Sequence, residues 1–223
     1  MTVRMIEDCT AIIMAGGNSQ RMGQDKANLL LGGQTLLQHV VATMRQNFPE
    51  VIVSVRQPRP ESDLPQICDD PAHTGPLAGL SAGLERANTP WVFAVACDMP
   101  FITPAVIELL AGYRGKPLPA SPCQGRSSPP SPDKGRPGGV GFQAVVPMVR
   151  GYPQPLAAFY AASCLNEVNK LLSGSGKHSL RALLDQLQVC YVGEEEMLAA
   201  DPQLRSFFDL DTPQDLAQAM NQT

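Results

Sequence analysis

The stretch "TAIIMAGGNSQRMGQDK", Thr10 to Lys26, runs from an apolar, β-branched segment straight into glycines and charged side chains. Thr10–Met14 reads as a strand buried on both faces, the pattern of a parallel sheet. In an open sheet of that kind ligands gather where loops leave the carboxyl ends of strands, and the glycine loop lies at such a place. Two readings follow: an ordinary surface turn, or a cradle for phosphate.

Working outward, similar apolar runs recur at Val51–Val55, Trp91–Cys97 and Ala144–Met148. Between them lie helical stripes, Leu36, Leu37, Val40, Val41 and Met44 in one, Val106, Ile107, Leu109 and Leu110 in another after the cap-like Thr103-Pro104. The alternation predicts an α/β fold with a mostly parallel central sheet and helices on both faces. Later, Ala161–Leu172 and Leu180–Leu187 read as helices, Val189–Val192 and Phe207–Leu210 as extended, and Thr212-Pro213 opens a last helix through Met220. A chain of 223 residues with 43% hydrophobic content suits one large core, so residues 1–223 are expected to form a single domain. The stretch 115–141 breaks the pattern. It is rich in Pro, Gly and Ser and carries Lys116, Arg126, Lys134 and Arg136, which predicts a mobile insertion; the alternative is a basic flap over an anionic substrate.

The formal net charge of -4 gives no bulk attraction to nucleic acid or to an anionic membrane, so an anionic ligand must be held by local groups. No apolar run approaches a membrane span and the first residues show no signal-peptide core, which points to a cytoplasmic protein. The six cysteines are scattered without a C-x-x-C pair and read as reduced, mostly buried thiols; the three histidines are too dispersed for a zinc site.

The glycine loop matches neither G-x-x-x-x-G-K-[ST] nor G-x-G-x-x-G. What it offers is close backbone approach at Gly16-Gly17, with Arg21 and Lys26 as a planar fork and a mobile point charge. Asp98 follows the buried run ending at Cys97 and so emerges at the same edge of the sheet, where it can take Mg²⁺ or cap the next turn. Asp69-Asp70-Pro71 precedes Gly75-Pro-Leu-Ala-Gly79, a turn into a helix whose N-terminus can face phosphate or ribose. Asp209 and Asp211 alternate to one face of a short strand, which suits metal or ribose hydroxyls, with helix capping by Asp211 or Thr212 as the plainer reading.

Met14-Ala-Gly-Gly17, Arg21-Met-Gly-Gln-Asp-Lys26, Gly75-Pro-Leu-Ala-Gly79, Cys97-Asp-Met-Pro100 and Asp209-Leu-Asp-Thr-Pro213, in this order, resemble the nucleotidyltransferases of molybdenum cofactor synthesis, most closely the molybdenum cofactor guanylyltransferases. "QPLAAFY" (Gln154–Tyr160) and "HSLRALL" (His178–Leu184) extend the resemblance over nearly the whole chain outside the insertion. It implies a Rossmann-like domain of the nucleotide-diphospho-sugar transferase type. It also implies transfer of GMP from GTP to the terminal phosphate of Mo-molybdopterin, with a molybdoenzyme or another cofactor-pathway protein as further partner. By the same resemblance Met14, Ala15 and Gly16 contact the nucleotide, Lys26 its phosphates, Asp70 the nucleotide and Asp98 the Mg²⁺; beside them Gly17 permits close approach and Arg21 shares with Lys26 the charge that develops in the reaction. Ser54 stands where the family often has Asn, and Asp209 and Asp211 replace its late asparagines, a spelling also seen in the cytidylyl branch. A cytidylyl- or sugar-phosphate nucleotidyltransferase and a non-catalytic nucleotide-binding protein are the alternatives.

Overall fold

The computed structural model describes residues 4–16, 25–59, 63–68, 73–116, 141–210 and 212–220. The chain enters through β1 (Cys9–Met14), every residue of which is buried. After the glycine loop a small hairpin, β2 (Leu30–Leu31) and β3 (Gln34–Thr35), turns on Gly32 and Gly33 at φ 58° and 86°. Both turn residues need positive φ, which explains the paired glycines. Thr35 then starts α1 (Leu36–Asn47) with a capping box: its side chain accepts from the Gln38 N–H while the Gln38 side chain accepts from the Thr35 N–H. β4 (Glu50–Val55) and β5 (Gln66–Cys68) follow, then α2 (Pro76–Arg86), β6 (Trp91–Ala96) and α3 (Pro104–Ala111), whose N-cap is Thr103.

The second half begins with β7 (Ala144–Val149), which turns through Arg150 and Gly151, both at positive φ, into β8 (Tyr152–Pro153) and returns as β9 (Ala157–Ala161). α4 (Leu165–Ser173), α5 (Leu180–Leu184), β10 (Val189–Val192), α6 (Glu194–Ala200) and α7 (Pro213–Met220) complete the order.

The main sheet has the order β10-β7-β9-β6-β1-β4-β5, with β8 paired to β7. β5, β4, β1 and β6 are mutually parallel, and β10 is parallel to β7; β9 alone on this path runs antiparallel to both its neighbours. Residue alternation along the strands builds two cores. Ala11, Ile13, Val53, Phe93 and Phe159 face α1, α3 and α6, whereas Ile12, Ile52, Val92, Ala94 and Tyr160 face α2, α4 and α5. On the first face Phe93 lies between Phe48, on which it stacks, and Phe159, to which it is tilted, with ring centroids 5.4 and 4.7 Å away. On the second, α2 lies so close to β1 that a Cβ on Gly83 would sit 2.9 Å from the Ile12 side chain, so glycine is required there for packing.

The mostly parallel α/β sheet expected from the sequence is present, and three local expectations are corrected. Ala161–Leu172 is not one helix: Ala161 ends β9, a 3₁₀ turn follows, and α4 begins at Leu165. The small and aromatic residues of "AAFYA" lack a β-branched signature, and tertiary pairing with Trp91–Val95 makes them a strand. The helix expected over Leu180–Leu187 ends at Leu184. Phe207–Leu210 is not a strand either. A 3₁₀ turn covers Arg205–Phe207, and Leu210 N–H donates to the Asp98 carbonyl at 3.0 Å, so the segment is bound to a loop and not to a sheet edge. Asp209 therefore takes its direction from that loop contact, not from strand alternation. The insertion expected at 115–141 falls outside the described residues except at its ends.

Candidate active site

β1 lies between β4, which follows it in the chain and leads to the β5 edge, and β6, which begins the other half of the sheet. Chain connections diverge at this point and leave a crevice beyond the carboxyl ends, the usual ligand position in open α/β sheets. A cleft of about 310 Å³ occupies it. Its walls come from the ends of β1 (Met14, Ala15, Gly16), β4 (Ser54) and β6 (Ala96 to Met99), from Gly75, Pro76 and Gly79 at the start of α2, and from Gln154, Pro155, Leu156 and Asp209.

Backbone hydrogen bonds lace these ends together. Ala15 N–H donates to the Ser54 carbonyl at 2.8 Å, Cys97 N–H to Met14 at 3.1 Å and Ala96 N–H to Leu156 at 3.2 Å. With Leu210 tied to Asp98, groups more than 100 residues apart in sequence are held to one rim.

The charged centre is the pair Lys26–Asp98, with Nζ 2.8 Å from Oδ2 and each side chain 17% exposed. Lys26 is the first residue of a short 3₁₀ turn, Lys26–Asn28, whose N-cap Asp25 accepts from the Ala27 N–H. Asp98 stands in the turn directly after β6. An ammonium and a carboxylate that neutralise each other at the mouth of a cleft are groups that can be turned to phosphate and to a divalent cation respectively. Neighbouring Cys97 is no nucleophile: burial, and then the Asp98 charge, push its thiol up to about 12, so it stays protonated.

The positive end of the α2 dipole lies at the same rim. Gly75, at φ 104°, is its N-cap without a side-chain cap, Pro76 is at N1, and no acidic residue occupies the first turn. That end favours an anion. Glycine at 75 is explained by its positive φ.

Of the residues expected from sequence, Met14, Ala15, Gly16, Lys26, Ser54, Asp98 and Asp209 all line this cleft. Gly17, Arg21, Asp70 and Asp211 lie outside the described residues. Thr212 is the cap of α7: Asp215 N–H donates to its Oγ1 at 3.2 Å and its own N–H donates to the Asp215 carboxylate at 2.7 Å, as the plainer reading held. Among the described residues no group of three or more His, Cys, Asp or Glu side chains could hold a metal; Asp98 and Asp209 are two carboxylates on the same cleft.

Sequence reasoning gave no role to Gln154 and Leu156, which line the cleft, and overlooked Arg59 altogether. The 9%-exposed Arg59 donates to Asn28 Oδ1 at 3.0 Å, to the Ala15 carbonyl at 3.4 Å and to the Asp25 carboxylate. Its signal in "RQPRP" is weak, because an arginine between prolines reads as a solvated loop charge.

Comparison with known proteins agrees with this geometry. The family model of the MobA-like NTP transferase domain matches residues 11–190. The chain is 32% identical over 212 residues to a probable molybdenum cofactor guanylyltransferase of Pelotomaculum thermopropionicum, covering 94% of this chain and 91% of that protein. It is 31% identical over 211 residues to one of Peptoclostridium acidaminophilum, covering 94% and 87%. Among solved structures, the molybdopterin-guanine dinucleotide biosynthesis protein A of Archaeoglobus fulgidus superposes with a TM-score of 0.72 at 25% identity, covering 95% of this chain and 97% of the other. With the family match spanning most of the sheet and the motif residues gathered on one cleft, the chain belongs to the MobA-like NTP transferase family and is a nucleotidyltransferase.

Proposed function

We propose that the chain transfers GMP from GTP to the terminal phosphate of Mo-molybdopterin, giving the molybdopterin guanine dinucleotide cofactor and pyrophosphate. The observation that carries this reading is the Lys26–Asp98 pair at the mouth of the cleft, in a chain whose relatives bear guanylyltransferase names. An oxygen of the acceptor phosphate attacks the α-phosphorus, and the bond from that phosphorus to the oxygen leading to the β-phosphate breaks. Both reactants are anions, so the protein needs no nucleophile of its own; it needs in-line positioning and neutralisation of charge. Met14, Ala15 and Gly16 seat the nucleotide against the end of β1, and the first turn of α2 meets its anionic part. Lys26 turns from Asp98 to the phosphates and takes up charge as it develops on the leaving oxygens, a task that Arg21 shares.

The donor set fits Mg²⁺, which usually takes one or two protein carboxylates and fills the rest of its shell with substrate phosphates and water. Asp98 would hold it, with Asp209 on the same cleft. When bound, it supplies Lewis-acid neutralisation of the phosphate oxygens. The product passes to a molybdoenzyme or another protein of the cofactor pathway.

One observation favours a second reading. Asp209, where the family often has Asn, lines the cleft, and this spelling suits a cytidylyl enzyme. Thermal-shift ranking of GTP, CTP and ATP with Mg²⁺ separates the two, because a ligand bound to the native state raises its midpoint. A GTP preference together with pyrophosphate release in the presence of Mo-molybdopterin is the expected result. A CTP preference, or no release with GTP, refutes the proposal. Among the described residues no helix is long and apolar enough to cross a membrane.

A further inference from the structure

We infer that Arg59 is a positioning residue that clamps the two ends of the glycine loop and thereby sets where Lys26 stands. The inference rests on the cleft being a nucleoside triphosphate site, not on the identity of the base. Among the described residues one guanidinium serves three groups: the Ala15 carbonyl at 3.4 Å, just before the loop, and Asp25 and Asn28, just after it. The Asp25 carboxylate is thus held by Arg59 through one oxygen while its other oxygen caps the turn that begins at Lys26. Lys26 Nζ in turn reaches Asp98.

Arg59 is itself anchored to the sheet. Its N–H donates to Gln66 Oε1 and the Gln66 amide donates back to the Arg59 carbonyl, both at 2.7 Å, and Gln66 belongs to β5. The side chain is not part of the cleft wall, so it acts through Asp25 and Lys26 and not by touching phosphate. A planar fork suits the arrangement, since Nη1 meets Asn28 while Nη2 meets Ala15 and Asp25, whereas the three N–H groups of a lysine radiate from one atom.

The test is a double-mutant cycle on the full chain with Arg59→Met, Lys26→Ala and the double variant, run beside Arg59→Lys. Turnover is measured with whichever nucleoside triphosphate the wild-type chain prefers; a CTP preference refutes the guanylyl reading and leaves the cycle intact. A phosphate probe independent of the base, inorganic tripolyphosphate with Mg²⁺, is titrated in parallel. Arg59→Met is expected to stay folded and lose on the order of 10²-fold in kcat/KM, the scale of a displacement of about 1 Å at a reacting centre. Lys26→Ala should abolish the effect, so that the double variant is no worse than Lys26→Ala alone. Arg59→Lys should recover only part of the loss. Multiplying losses in the double variant would mean that Arg59 acts on phosphate directly, and wild-type turnover and tripolyphosphate affinity in Arg59→Met would mean that the clamp is not used; either overturns the inference. If Arg59→Met does not fold, Asp25→Asn, which keeps a capping oxygen and removes the charge, carries the same cycle with Lys26→Ala and is read by the same two criteria.

Discussion

Asp98→Asn tests the charged centre in a way that separates binding from chemistry. In the ligand-free protein Lys26 and Asp98 satisfy each other at 2.8 Å. At an effective dielectric near 20, that separation corresponds to a gross attraction of about 6 kcal/mol. Solvation offsets most of it, since both side chains keep 17% of their surface in water, and a net worth of about 1–2 kcal/mol is reasonable for a pair between the exposed and the buried limits. Lys26 must give up that interaction to reach a phosphate. Replacing the carboxylate with an amide removes this competition, so in EDTA the variant should bind GTP about five- to thirtyfold more tightly than the wild type. With Mg²⁺ and acceptor it should lose about 10²–10³ in kcat, the scale of a lost transition-state stabiliser. Calorimetric titration without metal and a pyrophosphate-release assay with metal measure the two effects. Weaker metal-free binding would show that Lys26 does not move between carboxylate and phosphate, and near-normal turnover would remove Asp98 from the reaction.

Other expectations follow from the same structure. Lys26→Ala should remain folded by circular dichroism yet lose about 10²–10³ in kcat/KM; an unimpaired enzyme would refute its assigned role. Gly83→Val should lower the urea midpoint by the equivalent of about 1–3 kcal/mol, because the Cβ position is already 2.9 Å from Ile12 in a filled core, and an unchanged midpoint would contradict that packing. Alkaline stability should fall. Burial pushes the Cys164 thiol from 9.0 up to about 12, so above pH 9 the unfolded chain loses a proton that the folded chain keeps. This contribution is fully present below pH 9 and is lost at up to about 1.4 kcal/mol per pH unit as the pH approaches 12. Cys9 and Tyr160, both also raised mainly by burial, act in the same direction. Urea midpoints at pH 8 and 10 in reductant check it, and equal values would refute it.

Much of the site was legible because its signals are local. A buried run ending in Asp98, glycines after β1, and a Gly-Pro start to α2 each mark a strand end or a helix start through backbone rules that act over a few residues. The errors arose where tertiary pairing overrides local preference. Ala157–Ala161 becomes a strand through its partners in β6 and β7, and Asp209 is brought to the cleft beside Leu210, whose N–H donates to the Asp98 carbonyl, not by strand periodicity.

The sequence by itself determined the alternation of strands and helices, the parallel sheet it implies, and the edge at which chemistry had to gather. Those features follow from hydrophobic period and capping, which are written residue by residue. Only the tertiary structure decided that Lys26 lies against Asp98, that Gln154 and Asp209 reach the same cleft, and that Arg59 bonds to Ala15, Asp25 and Asn28. These depend on contacts across 31 to more than 100 residues of chain. Such contacts are specified by how the whole sheet folds up and leave no periodic trace in the sequence.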